Sequence, residues 1–141
     1  MPKEFFNKAK AVKLRSHLGK YLIADDDHIS TWQSRNGAAV NARWLVELVE
    51  SNSHVIRLKS CHNRYLTASS RHFFPGMTGR KVLQTMPENH TKDLAIEWQP
   101  IRDGFQVKLR ALIGGTYLSA NGGAPPWRNT VTHNSPCTCG C

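Results

Sequence analysis

The sequence predicts an all-β fold of three quasi-equivalent units about a pseudo-threefold axis, a β-trefoil, and three observations carry that reading. One template occurs three times, in Val12–Ala24, Val55–Ala68 and Val107–Ala120: β-branched residue, base, Leu, base, small residue, polar turn, then Tyr-Leu-x-Ala. Within each copy apolar and basic residues alternate with period two, as in a strand with one buried and one wetted face. Helical periodicity is weak throughout. Its best stretch, Ala42–Glu50, is rich in Val and Leu and reads as a strand.

Residues 1–10 form a basic lead-in in which Phe5-Phe6 makes an apolar plug against the first strand. Val12-Lys13-Leu14-Arg15, Ile56-Arg57-Leu58-Lys59 and Val107-Lys108-Leu109-Arg110 are then equivalent strands. Each turns, at His17-Leu18-Gly19, Cys61-His62-Asn63 or Ile113-Gly114-Gly115, and returns as Tyr-Leu-x-Ala, so every repeat opens with a β-hairpin. Leu and Tyr are seven residues apart in the first two copies and eight in the third, where the glycine pair absorbs the extra residue. A third strand follows at Ser30–Gln33, Lys81–Thr85 and Asn129–Thr132, and a tryptophan strand closes the first repeat at Ala42–Val49 and the second at Ile96–Ile101. The predicted core is Leu14, Tyr21, Leu22, Trp44, Leu58, Tyr65, Leu66, Trp98, Leu109, Tyr117 and Leu118.

A third tryptophan strand belongs at about 140 to 150, and the chain has 141 residues. The expectation is therefore one domain over residues 1–133, with repeats at about 11–53, 54–104 and 105–133, followed by a Cys-containing tail at 134–141. Eleven of twelve strands are present on this reading. The open edge at Val12–Arg15 would then invite dimerisation or pairing with another chain.

Nineteen Lys and Arg against ten Asp and Glu leave a net charge of +9. No acidic residue lies between Glu50 and Glu88, nor after Asp103. Such a field favours polyanionic partners: an acidic protein surface such as a filament, nucleic acid or anionic lipid. The candidate basic patch comprises Lys13, Arg15, Arg57, Lys59, Arg64, Arg80, Lys81, Lys108, Arg110 and Arg128, with Lys20 beside it. Trp32 and Trp127, near loops, are candidate ligand-contact aromatics. No transmembrane run and no apolar leader are found, which places the expectation in the cytoplasm, with Cys61, Cys137, Cys139 and Cys141 as thiols and the sequon at Asn89 unused.

Constellations that would carry chemistry are weak. Cys137, Cys139 and Cys141 alternate but lack the spacing of a zinc site, Asp25-Asp26-Asp27-His28 lacks the ligands and glycine of a calcium loop, and Thr78-Gly79-Arg80-Lys81 does not meet the phosphate-loop spacing. Cys61 and His62 are adjacent on a turn, where side chains diverge, and neither Gly-x-Ser-x-Gly nor His-Glu-x-x-His occurs. The expectation is a non-enzyme with no metal and no cofactor.

Several segments resemble a known plant family. They are Glu4-Phe5-Phe6 with Ala9 and Ala11; Val12–His17 through Lys20-Tyr21-Leu22; Arg35-Asn36-Gly37 followed by Asn41–Trp44; Gly76–Gln84; and Pro125-Pro126-Trp127-Arg128-Asn129. Together they span residues 4 to about 133 and are similar to the domain-of-unknown-function family 569, grouped with fascin-like β-trefoils and labelled actin cross-linking on that basis. The resemblance implies the fold and, as a partner, F-actin, with a cytoskeletal association. Family members continue into a tryptophan-containing last strand, where this chain has Asn134–Cys141 instead. A carbohydrate-binding trefoil is the further alternative, although no repeat carries Gln-x-Trp.

Overall fold

The computed structural model describes residues 10–72, 79–87, 93–125 and 127–135. The Phe5-Phe6 plug and the three tail cysteines lie outside the described residues. Eleven strands form there: β1 Ala11–Val12, β2 Tyr21–Ala24, β3 Thr31–Ser34, β4 Trp44–Leu48, β5 Ile56–Lys59, β6 Tyr65–His72, β7 Arg80–Thr85, β8 Trp98–Asp103, β9 Gln106–Ala111, β10 Tyr117–Ala120 and β11 Val131–Asn134. Two short 3₁₀ turns, Val40–Ala42 and Leu94–Ile96, lead into β4 and β8. The sequence carries no periodic sign of either, because a single turn is too short to display one.

The threefold template is visible in the turns. Gly19, Asn63 and Gly114 each stand five residues after the template leucine, and all three have positive φ, at 73°, 60° and 73°. The left-handed conformation explains why the template uses only Gly or Asn there.

The strands divide into a barrel layer and a hairpin layer. The barrel runs β1–β4–β5–β8–β9, all antiparallel, with Val12 opposite Trp44 and Ile56 opposite Trp98. The hairpins β2–β3, β6–β7 and β10–β11 cover one end. Among the described residues no strand joins β9 to β1, so the barrel stays open on that side.

Trp44 and Trp98 are fully buried at the centre of the apolar cluster. Each is anchored the same way: the Trp44 indole N–H donates to the Leu22 carbonyl at 3.2 Å, and Trp98 donates to Leu66 at 2.9 Å. A tryptophan with its N–H satisfied contributes its whole apolar area to the core without an orphaned donor. Leu22, Leu58, Tyr65, Leu66 and Leu109 are buried as predicted. Leu14, Tyr21, Tyr117 and Leu118 are only half-buried, because the barrel's open side lies beside the first and third repeats.

Three side chains on β3, β7 and β11 close a ring between the hairpins. Gln33 donates to the Asn121 and Thr130 carbonyls, Gln84 to Asp25 and Ser30, and His133 Nε2 to Ser69. Asp25, Ser69 and Asn121 each follow their tyrosine by four residues, so each repeat grips the one before it, the first gripping the third, in a cycle. Thr116 Oγ1 donates to His133 Nδ1 at 2.7 Å, which fits a neutral imidazole. Burial, with the charge of Arg80, pushes His133 below the usual imidazole range against the opposing pull of the Ser69 bond.

Candidate functional site

The open side of the barrel is a groove of about 1360 Å³ between β1 and β9. Its floor is apolar, built from Val12, Leu14, Leu22, Leu109, Leu118 and Val131. Its rim is basic: Lys13, Arg15, Lys20, Arg43 and Lys108 line it and no Asp or Glu does among the described residues, although Lys108 Nζ lies 3.0 Å from Asp103 Oδ2. Phe105, in the β8–β9 turn, stands fully exposed at the mouth.

The period-two alternation of each template strand produces this combination, since β9 turns Leu109 inward and leaves Lys108 and Arg110 exposed. On the β1 side, Lys13 and Arg15 are exposed while Val12 and Leu14 are half-buried. The ordered strand is shorter than the sequence predicts, Ala11–Val12 rather than Val12–Arg15, with Arg15 retained by a single bridge to Tyr21. Among the described residues that flank has no second barrel neighbour, so fewer ladder bonds hold the segment extended.

The groove also leaves a polar atom without a partner. In the second repeat Gln84 Oε1 accepts from Ser60 Oγ at 2.8 Å. The equivalent Gln33 Oε1 is buried, lines the groove and has no partner among the described residues, while Ser16 Oγ accepts from the Leu18 amide.

The predicted basic patch does not converge as one surface. Of its ten members, Lys13, Arg15 and Lys108 line the groove. Arg110, Arg80 and Arg128 are exposed elsewhere, with Arg110 and Arg128 donating to the Gly115 and Gly123 carbonyls. Lys59, Arg64 and Lys81 are half-buried, and Lys59 lies 5.6 Å from the centre of the Tyr65 ring. Arg57 is a correction to the sequence reading. Instead of facing solvent it is 8% exposed, with Nη2 2.8 Å from Glu97 Oε2 and Nη1 3.6 Å from Glu47 Oε1. Glu47 also accepts from the Tyr65 hydroxyl at 2.8 Å, and burial together with this bond pushes the tyrosine up to about 12. Alternation alone cannot reveal such a site, because the two acids come from elsewhere in the chain, Glu47 on β4 and the buried Glu97 immediately before β8.

Other candidates resolve into structure. Asp27 caps its own turn, accepting from the Ile29 and Ser30 amides and the Ser30 hydroxyl; burial opposes ionisation there, but these bonds hold it below the usual carboxylate range. No cluster of three or more His, Cys, Asp or Glu among the described residues is placed to hold a metal. His62 stacks on His28 with ring centres 4.2 Å apart. Burial first, and then the charge of Asp26, raises the Cys61 thiol, the opposite of what a thiolate nucleophile requires. Trp127 is 47% exposed in the loop before β11; Trp32 is 39% exposed, its indole N–H donating to Asp25 Oδ1 at 3.0 Å.

Sequence reasoning missed Arg43 and Phe105 as members of the site. A usable signal existed for Arg43, which immediately precedes the strand tryptophan where the second repeat has Glu97. No helix among the described residues is long and apolar enough to cross a membrane.

Comparison with known proteins bears on the fold. The designed threefold-symmetric protein ThreeFoil superposes with a TM-score of 0.73 at 18% identity, over 92% of each chain. The Haemophilus ducreyi cytolethal distending toxin gives 0.69 at 15% identity, over 89% of this chain and 73% of that one. A Polyporus squamosus lectin, solved bound to a sialylated human-type influenza-binding epitope, gives 0.65 at 16% identity, over 92% of this chain and 44% of the lectin. At these identities the likeness shows the trefoil fold alone. No curated protein matches the sequence. The profile of the β-trefoil domain of unknown function, DUF569, matches residues 3–140, and the chain belongs to that family.

Proposed function

We propose that this domain is a non-catalytic binding module that engages an acidic protein surface through the basic rim of its open groove, with F-actin as the candidate filament. The observation that carries the reading is the excess of cations around an apolar floor: five Lys and Arg line the groove and no Asp or Glu does among the described residues, Asp103 reaching only Lys108 from the end of β8 at 3.0 Å. That arrangement attracts an acidic partner at long range and offers it apolar area to bury on contact. The raised Cys61 thiol supports a non-enzymatic role. General polyanion binding, to nucleic acid or anionic lipid, is the competing form of the same electrostatics.

Co-sedimentation with F-actin across a salt series, with RNA as competitor, tests it. Saturable pelleting that survives physiological salt and excess RNA is expected. The variant Lys13→Glu/Arg15→Glu/Arg43→Glu/Lys108→Glu changes exposed rim residues only. With each exposed contact worth about 0.2–1 kcal/mol, the four reversals should weaken pelleting about tenfold or more. Unchanged pelleting by the folded variant removes the rim from the argument, and pelleting abolished by RNA reduces it to general polyanion binding. Arg57 is left intact in this variant because it belongs to the interior.

One observation favours a second reading. Trp32 presents a fixed aromatic face beside Asp25, a combination suited to a sugar ring, and a lectin is among the structural neighbours. Sugar-dependent quenching of a fluorescence component lost in Trp32→Phe would support it.

A further inference from the structure

Asn-Gly occurs twice in the chain, at Asn36-Gly37 and Asn121-Gly122, and the fold holds the two pairs in opposite ways. The dipeptide is chemically labile: with no side chain on the second residue, its backbone nitrogen is free to approach the side-chain carbonyl of the asparagine. What holds each asparagine then decides which pair reacts.

Asn121 is locked. Its backbone N–H donates to the Thr130 carbonyl at 3.1 Å, and its carbonyl accepts from Gln33 Nε2 at 2.9 Å. Its side-chain nitrogen, the group that would have to leave, donates to Thr130 Oγ1 and Thr132 Oγ1, each at 3.0 Å. Closing an imide there breaks these bonds and turns the main chain out of the ring between the hairpins.

Asn36 is exposed, in the loop between β3 and the 3₁₀ turn at Val40–Ala42. Its Oδ1 accepts from the Ala38 amide at 3.2 Å, which polarises the side-chain carbonyl toward attack. The Gly37 N–H donates to the Arg35 carbonyl at 3.1 Å, so a single three-residue turn bond holds the attacking nitrogen among the described residues. The glycine cannot be exchanged for a residue with a protecting side chain, because a Cβ at position 37 would stand 2.6 Å from the Tyr21 ring. The packing of Tyr21 thus requires the residue that makes Asn36 reactive.

We infer that Asn36 is a site of spontaneous covalent modification with water as the reagent, and that its branched product loosens the contact between Gly37 and Tyr21. Gly37 N gives its proton to water and bonds to Asn36 Cγ; the Cγ–Nδ2 bond breaks, and the nitrogen leaves as ammonia after taking a proton from water. A water molecule then opens the cyclic imide. Opening at Cγ gives aspartate, and opening at the main-chain carbonyl gives isoaspartate, whose backbone is longer by one carbon. The net change is one water consumed and one ammonia released. Both products add a carboxylate to the first repeat, and isoaspartate also displaces Gly37 from its seat on the Tyr21 ring. Tyr21 pairs with Ser34 and bridges to Arg15, so the displacement reaches the segment after β1. The site is independent of what occupies the groove.

The test ages the folded 141-residue chain in mildly alkaline buffer and digests it with trypsin, which releases residues 36–43 and 111–128 as separate peptides. Mass spectrometry reads the change from amide to acid in each, and isoaspartate-specific enzymatic methylation reads the branched product. In the folded chain the Asn36 peptide should convert about tenfold or more faster than the Asn121 peptide, whose side-chain bonds must break first. In urea the two rates should converge. Thermal unfolding separates the added charge from the longer backbone: the aged protein should melt below both the parent and Asn36→Asp, which carries the charge on a normal backbone. No conversion of the Asn36 peptide, equal rates at the two peptides in the folded chain, or undiminished conversion of peptide 36–43 in Asn36→Gln, which would assign it to Asn41, overturns the site. An aged protein that melts with Asn36→Asp overturns the loosening of Tyr21.

Discussion

Replacing Arg57 by Met tests whether the second repeat's ion pair is a buried interior element or a surface contact. Arg57 and Glu97 side chains are 10% and 8% exposed, 2.8 Å apart, whereas Glu47 stands at 3.6 Å and 39% exposure and is screened by solvent. Arg57→Met leaves the buried Glu97 carboxylate unpaired, and breaking a buried pair from one side costs about 3–5 kcal/mol. A domain of this size has a total stability of about 5–15 kcal/mol, so the loss is a large share of it. The thermal midpoint should fall on the order of 10–20 °C. Urea unfolding at pH 7, followed by the fluorescence of buried Trp44 and Trp98, measures it directly. The double variant Arg57→Met/Glu97→Leu should regain most of the loss, because an apolar pair of similar volume avoids the desolvation of both charges and Arg57 Nε already lacks a partner among the described residues. A single variant that loses less than about 1 kcal/mol, or a double variant no more stable than the single, would refute the assignment.

The remaining expectations concern the inter-repeat ring and the tryptophan anchors. His133 has its folded pKa below the unfolded value of about 6.5, so the unfolded chain takes up the proton first and stability falls as pH drops from about 6.5 toward the folded value. His133→Gln keeps a donor toward the Ser69 carbonyl and restores the residue the other two repeats use. Urea midpoints at pH 7.5 and 5.5 should therefore fall less in this variant than in the parent, and equal falls would remove His133 from the pH dependence. Trp98→Phe leaves the buried Leu66 carbonyl unsatisfied, costing about 1–3 kcal/mol in addition to the lost volume, and Trp44→Phe does the same at Leu22. Either variant unfolding at the parental urea concentration would show that the indole N–H contributes nothing.

Much of the fold was legible in the residues because the trefoil repeats its instructions three times. Strands β5, β6 and β9, the three turns at Gly19, Asn63 and Gly114, and the core tryptophans all follow from local alternation and turn chemistry, which depend on near neighbours only. The site was legible in part. Lys13 and Lys108 stand at equivalent template positions and, with Arg15, line the groove, but Arg57 shares the position of Lys13 and Lys108 and is buried. Alternation states that a side chain points away from the barrel interior; it does not state whether another strand brings a carboxylate to meet it there.

The sequence by itself determined the all-β class, the threefold template and the excess of positive charge, since each is a property of composition or of spacing along one strand. Only the tertiary structure decided which cations remain in water, that Gln33, Gln84 and His133 link the repeats in a cycle, and that β1 and β9 face each other across a groove. These outcomes depend on pairs far apart in the chain, 40 residues for Arg57 and Glu97 and 88 for Gln33 and Asn121, and no periodicity within a strand encodes such a meeting.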